Sequence, residues 1–132
     1  MENRDKFLIN IRPIITNAKV NDSTNPEEAF QNITLRPLIK LQNDLLLAVF
    51  KNYIRKHKNV YHNLTIEKRL EYIDNAIQKD IKFRNSIKGI IIGVFTIKEY
   101  DIYTQNSSAL NKRMMNIVRE RLKNSLLCFD IV

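Results

Sequence analysis

The chain of 132 residues carries 22 lysines and arginines against 14 aspartates and glutamates, which gives a formal net charge of +8. This length supports one domain with a genuine core, and a hydrophobic fraction of 44% argues against an intrinsically disordered chain. The single cysteine excludes an internal disulfide and a cysteine-based zinc site. No stretch is apolar for long enough to cross a bilayer. We therefore expect a cytoplasmic protein with no membrane partner, no metal and no cofactor.

The order of the segments predicts one all-helical domain over residues 1–132. An N-terminal helix and loop occupy 1–24, and a helical body follows at 25–128. The helix at 3–11 ends before Pro13, because the residue that precedes a proline is disfavoured in helical geometry.

Two prolines indicate helix boundaries in the first half of the helical body. Asn25 and Pro26 mark a helix start, because asparagine caps helix ends and proline suits the first helical position. Pro37 predicts a break at 34–36. A second helix then runs to about His57, and its apolar residues cover so wide an arc that we expect it to be central.

In the middle of the chain, the pattern does not decide between one helix and two. Thr65 is a helix cap, and no glycine or proline interrupts the chain from there to Lys88. The segment 65–93 is therefore either one long helix or two helices bent near Asp80.

A capping box is the clearest local signal. Thr96 and Glu99 have the types and spacing for two reciprocal side-chain to backbone bonds, which predicts a short helix that runs to about Gln105. The polar residues at Asn106 and just after it end that helix and begin the last one, at 109–126.

The most apolar run, KFRNSIKGIIIGVF, covers 82–95. A helix is favoured over a strand because apolar residues recur on one helical face, at Phe83, Ile87, Ile90 and Val94. Gly93 is expected just past the helix end in a left-handed conformation. Together with Gly89 it would let another helix approach closely. The prediction is an all-α bundle of about five to seven helices around a central apolar helix at 82–93.

The segment 96–124 has the outline of a helix-turn-helix unit, whose second helix enters the major groove of DNA. The residues that would then meet phosphates or bases are Lys112, Arg113, Arg119 and Lys123. The competing interpretation is structural, because two helices joined by a short turn are ordinary in any helical domain.

A second candidate is an anion pocket around Arg84 and Lys88, which lie one helical turn apart. Its other candidate members are Lys112, Arg113, Asn85, Asn106 and Asn111. Arginine would hold a phosphate or carboxylate through two hydrogen bonds. The simpler interpretation is an ion pair between Asp80 and Arg84, four residues apart on a solvated helix face.

The chain resembles a small family of short bacterial proteins that often carry the name glyoxalase. The resemblance lies in TLRPLIKLQNDLL at 34–46, KFRNSIKGIIIGVFT at 82–96 and NSSALNKRMMNIVRERL at 106–122, and it brings no assigned site residue. It implies a glyoxalase-type lyase. Glyoxalase I enzymes use paired βαβββ modules with histidine and glutamate metal ligands, whereas this sequence predicts no such strands. Its only histidines, His57 and His62, do not share a helical face.

We expect a non-catalytic interaction module that binds an acidic partner through basic helical surfaces. The partner is either nucleic acid or another protein, including a second copy of the chain in a homo-oligomer. The alternatives are the glyoxalase-type lyase and a protein that binds a small anionic ligand. A solvated surface rich in lysine would give the same net charge without any partner.

Overall fold

The computed structural model describes residues 2–14 and 25–130, and within these ranges the chain is all-α, as predicted. The helices are α1 (Glu2–Ile11), α2 (Pro26–Phe30), α3 (Arg36–Leu41), α4 (Asn43–Lys56), α5 (Ile66–Gln78), α6 (Ile81–Ile92), α7 (Ile97–Thr104) and α8 (Ser107–Asn124). Since α2 continues into α3, the described ranges hold seven helices. Two short 3-10 turns lie at Val60–Asn63 and Leu126–Phe129. None of the described helices is long and apolar enough to cross a membrane.

Local capping signals set several helix starts, as predicted. The Asn25 side chain accepts a 2.7 Å bond from the N–H three residues on, and the Thr65 hydroxyl accepts one of 3.3 Å in the same way. Thr96 and Glu99 form the complete capping box, with bonds of 3.2 and 2.9 Å. These bonds satisfy N–H groups that have no partner inside the helix.

Pro37 does not break the helix, so the predicted break at 34–36 is wrong. Gln31–Leu35 forms a π-helical turn between α2 and α3, and the Arg36 N–H donates to the Gln31 carbonyl. In a regular α-helix the proline ring meets the carbonyl four residues back, and proline has no N–H to donate. The wider turn accommodates the ring and lets the helix continue.

The segment 65–93 is two helices, α5 and α6, which separate at Lys79 and Asp80. The Asp80 carboxylate accepts from the Phe83 N–H at 3.2 Å and so caps α6. α6 contacts α4, α5 and α8, which gives it the central position that its apolar sequence predicted. Its buried face consists of Phe83, Ile87 and Ile91.

The two glycines of α6 do not form a close helix contact, and this prediction is wrong. Gly89 is exposed, and a Cβ atom built there meets no atom within 4 Å. Gly93 follows the helix at φ −60°, which is right-handed and not the left-handed conformation expected. Among the described residues, nothing therefore packs against α6 at Gly89.

We expect Gly89→Ala to raise the free energy of unfolding by about 0.5–1 kcal/mol, because glycine in a helix interior loses more backbone entropy than alanine. Gly93→Ala should lower it, because the new Cβ would lie 2.9 Å from the Gly89 carbonyl oxygen. Urea unfolding of both variants measures the two effects. A destabilised Gly89→Ala variant would show that another element covers this face.

α1 is held to the body by its polar side chains. The Arg4 guanidinium donates to the carbonyls of Gly93 (3.1 Å) and Phe95 (2.9 Å), which lie just past the end of α6. The Asp5 carboxylate accepts from the Ile97 N–H at 3.1 Å. α1 therefore closes over the junction between α6 and α7.

A buried ion pair completes this attachment. The Arg12 guanidinium donates to both oxygens of Glu99, at 2.8 and 2.9 Å, and the two side chains are only 10% and 12% exposed. The Thr34 hydroxyl donates to the same carboxylate at 2.8 Å. Glu99 also serves the capping box through Thr96, so one carboxylate joins α1, the π-helical turn and α7.

Candidate functional site

Three of the six predicted cations converge on one groove, which we call the α6–α8 groove. Arg84 of α6 and Lys112 and Arg119 of α8 line it. Its volume is about 320 Å³, and its other lining residues are Ile77, Gln78, Ser108, Met115 and Asn116. No carboxylate is among the lining residues, so the lining itself carries only positive charge.

Like Lys112, Arg84 forms no ion pair with a carboxylate of the described residues. Its Nε atom is buried and has no hydrogen-bond partner within the described residues. Asp80 does not form the expected ion pair with it, because the two Asp80 oxygens accept from the Phe83 N–H (3.2 Å) and the Tyr53 hydroxyl (2.9 Å). The structural interpretation of Arg84 as half of a surface ion pair is therefore wrong.

A second groove lies on the other flank of α8, and we call it the α3–α8 groove. Its basic residues are Arg36, Arg113 and Arg121, and one carboxylate, Glu120, lies among them. The volume is about 300 Å³. Asn116 lines both grooves, so α8 forms the ridge between them.

Several predicted site residues instead connect helices. Arg113 donates to Gln31 at 3.0 Å and lies 3.5 Å from the Glu27 carboxylate. Asn106 occupies the N-cap position of α8, and its side chain donates to Glu27 at 3.0 Å. Asn111 accepts from the Tyr103 hydroxyl at 2.6 Å. Neither asparagine lines a basic groove.

The remaining predicted residues differ in their surroundings. Lys123 forms a 2.8 Å ion pair with Asp74, and the Arg119 Nε atom lies 3.7 Å from the same carboxylate. Arg119 also donates to Asn116 at 3.0 Å. Lys88 is half-buried and Asn85 is exposed, and neither lines the α6–α8 groove.

The sequence analysis missed a cleft between the end of α4 and the start of α6, which we call the α4–α6 cleft. It has a volume of about 340 Å³ and is lined by Val49, Asn52, Tyr53, Lys56, His57, Asp80, Lys82, Phe83 and Ser86. No local motif marks it, because its two halves are more than twenty residues apart in the chain.

Hydrogen bonds fix the polar groups at the centre of this cleft. Burial raises the pKa of Tyr53, and the bond from its hydroxyl to Asp80 raises it further. The pKa of Asp80 is lowered by the Phe83 N–H and then by the Tyr53 hydroxyl. The His57 Nδ1 atom lies 2.8 Å from the Tyr53 carbonyl oxygen, and Nδ1 carries a proton there because a carbonyl only accepts.

The histidines do not assemble a metal centre with other side chains. Across residues 2–14 and 25–130, no group of three or more histidine, cysteine, aspartate or glutamate side chains is placed to hold a metal ion. The candidate sites are therefore the two basic grooves and the α4–α6 cleft. Comparison of the chain with family models, with curated proteins and with solved structures finds no match.

Proposed function

We propose that the protein binds nucleic acid and that α8 is the contacting helix. The observation that carries this proposal is the presence of basic side chains on both flanks of one helix: Arg84, Lys112 and Arg119 on one side, and Arg36, Arg113 and Arg121 on the other. An α-helix with its side chains is about 10–12 Å across, and the major groove of B-DNA is about 12 Å wide. A helix seated there presents its flanks to the phosphates of both strands.

The crest of α8 favours nucleic acid over an acidic protein. The exposed residues along the middle of α8 are Lys112, Asn116 and Glu120, which recur every four residues. Lys112 lines the α6–α8 groove, Glu120 lines the α3–α8 groove and Asn116 lines both. Lysine and asparagine donate to acceptors on base edges, and glutamate accepts from the cytosine amino group. Cations on the flanks and hydrogen-bonding groups on the crest match the two kinds of contact that a duplex offers.

Anisotropy of a labelled DNA duplex, titrated with protein at about 50 to 200 mM salt, tests this proposal. We expect the triple variant Arg84→Gln, Lys112→Gln, Arg119→Gln to bind at least about tenfold more weakly. The slope of log affinity against log salt should fall in magnitude by about 2 to 3, because fewer phosphates are neutralised.

The matched control removes the same charge elsewhere, at the exposed residues Lys6, Lys51 and Lys98. This variant should keep most of the affinity. If both triple variants lost DNA affinity equally, the loss would depend only on net charge. That result would overturn the assignment of DNA binding to α8. Saturable binding to an acidic polypeptide, without binding to DNA at low salt, would favour a protein partner instead.

A further inference from the structure

The α4–α6 cleft has the size and position of a separate ligand site. Its volume of about 340 Å³ lies in the range of pockets that hold small organic molecules. It shares no lining residue with either groove beside α8. A molecule bound there would therefore not compete directly for the groove residues.

One wall of the cleft is aromatic. The ring of His57 lies 4.1 Å from that of Tyr53, centroid to centroid, and the Tyr53 ring lies 4.3 Å from that of Phe83. Val49 adds an aliphatic surface beside them. A row of rings beside an open cavity favours a planar aromatic ligand, because rings pack well face to face with an offset or edge to face.

Two ammonium groups border the same cleft from different helices. Lys56 is near the end of α4 and Lys82 is in the first turn of α6, and neither forms an ion pair with a carboxylate of the described residues. Asp80 is the one carboxylate in the lining, and both its oxygens already accept hydrogen bonds. An anionic group of the ligand therefore has two cations to meet, and these outnumber the one charged carboxylate of the lining, Asp80.

The neutral polar groups add a second point of recognition. Nδ1 of His57 donates to the Tyr53 carbonyl, so Nε2 is the ring nitrogen left to meet a ligand, as an acceptor in the neutral ring and as a donor in the imidazolium. The Asn52 side chain lines the same side of the cleft and can both donate and accept. A ring substituent that carries a hydrogen would be oriented by these two residues.

We infer that the α4–α6 cleft binds a small aromatic anion: a planar ring that carries one phosphate or carboxylate group. The ring packs against the wall of His57 and Tyr53. The anionic group lies between Lys56 and Lys82.

Phenyl phosphate is the probe, and two-dimensional NMR of the ¹⁵N-labelled full-length chain is the measurement. We expect saturable shifts of amides in 49–57 and 80–86. Inorganic phosphate supplies the charge without the ring, and benzyl alcohol supplies the ring without the charge. Each should bind at least about tenfold more weakly than phenyl phosphate, because each loses one of the two contacts.

The double variant Lys56→Gln, Lys82→Gln should raise the Kd of phenyl phosphate about tenfold. Both lysines are exposed, so the variant retains the fold, and Lys51→Gln with Lys98→Gln is the matched control. Equal affinity for phosphate alone would overturn the inference, as would shifts confined to the amides of Arg84, Lys112 and Arg119. Absence of saturable shifts would overturn it as well. None of these results decides whether α8 binds DNA, so the two proposals fail independently.

Discussion

Replacing Glu99 with glutamine is expected to lower the free energy of unfolding by about 3 kcal/mol. Glu99 receives two hydrogen bonds from Arg12, and both side chains are almost fully buried. The substitution leaves the Arg12 guanidinium in the interior without a counter-charge. The cost of that uncompensated charge exceeds the net gain from forming the pair. Urea unfolding followed by circular dichroism measures the change.

The chain offers a matched control at its surface. Lys68 and Glu71 form an ion pair of 3.3 Å, in which both side chains are 63% exposed. Glu71→Gln makes the same chemical change and should alter the free energy of unfolding by less than about 0.5 kcal/mol, because water screens an exposed pair. Equal small effects at both sites would mean that the Arg12–Glu99 pair is solvated and that α1 is not held by it.

The same pair should make stability depend on pH. Burial acts to raise the pKa of Glu99, but the bonds from Arg12, the Thr96 N–H and the Thr34 hydroxyl outweigh it and lower the pKa below its usual value. A carboxyl group with a lowered pKa in the folded state stabilises the fold above its unfolded pKa, about 4.3. That contribution is lost as the pH falls through the folded pKa. Unfolding measured from pH 7 downward should show this loss in the wild type and a smaller one in Glu99→Gln, where carboxylates such as Asp80, whose pKa is also lowered, still contribute.

Phe50→Ala should cost about 4 kcal/mol of stability. Phe50 is fully buried, and its ring centroid lies 4.9–6.2 Å from those of five other rings, which belong to Tyr53, Tyr61, Tyr72, Phe83 and Phe129. These five rings come from five different elements of the chain, so they cannot collapse together to fill the space that the substitution leaves. The variant therefore loses both the buried area and the packing around it.

Tyr100→Ala is the control for this aromatic deletion, since Tyr100 is 47% exposed. It should change the free energy of unfolding by less than about 1 kcal/mol. Urea or thermal unfolding compares the two variants. A cost below 1 kcal/mol for Phe50→Ala would mean that the ring cluster repacks around the cavity and that the core is looser than its distances indicate.

Features that depend on neighbours in the sequence were predicted well. The caps at Asn25, Thr65 and Thr96 each need only four consecutive residues, so the pattern contains all the required information. The prediction that α6 buries one apolar face was also correct. The buried residue after Ile87 is Ile91 and not Ile90, because the helices packed against α6 determine which residues are buried.

Features that depend on a distant partner were not predictable in the same way. Asp80 was assigned to Arg84, its neighbour one turn on, but it instead accepts from Tyr53, which belongs to another helix. The cations of α8 were identified as a set, yet Arg113 and Lys123 have carboxylate partners on α2 and α5. Charge can be counted from sequence, whereas the compensation of each charge depends on tertiary packing.

The π-helical turn at Gln31–Leu35 has a consequence for how the chain can vary. Such a turn holds one residue more than the α-helical turn that it replaces, and one residue corresponds to about 100° of rotation. Because the π-helical turn absorbs the extra residue within one turn, deleting a residue there would restore regular pitch and leave both Phe30 and Leu38 facing the core. A relative without proline at position 37 should therefore align with this chain only through a single-residue gap between 31 and 35.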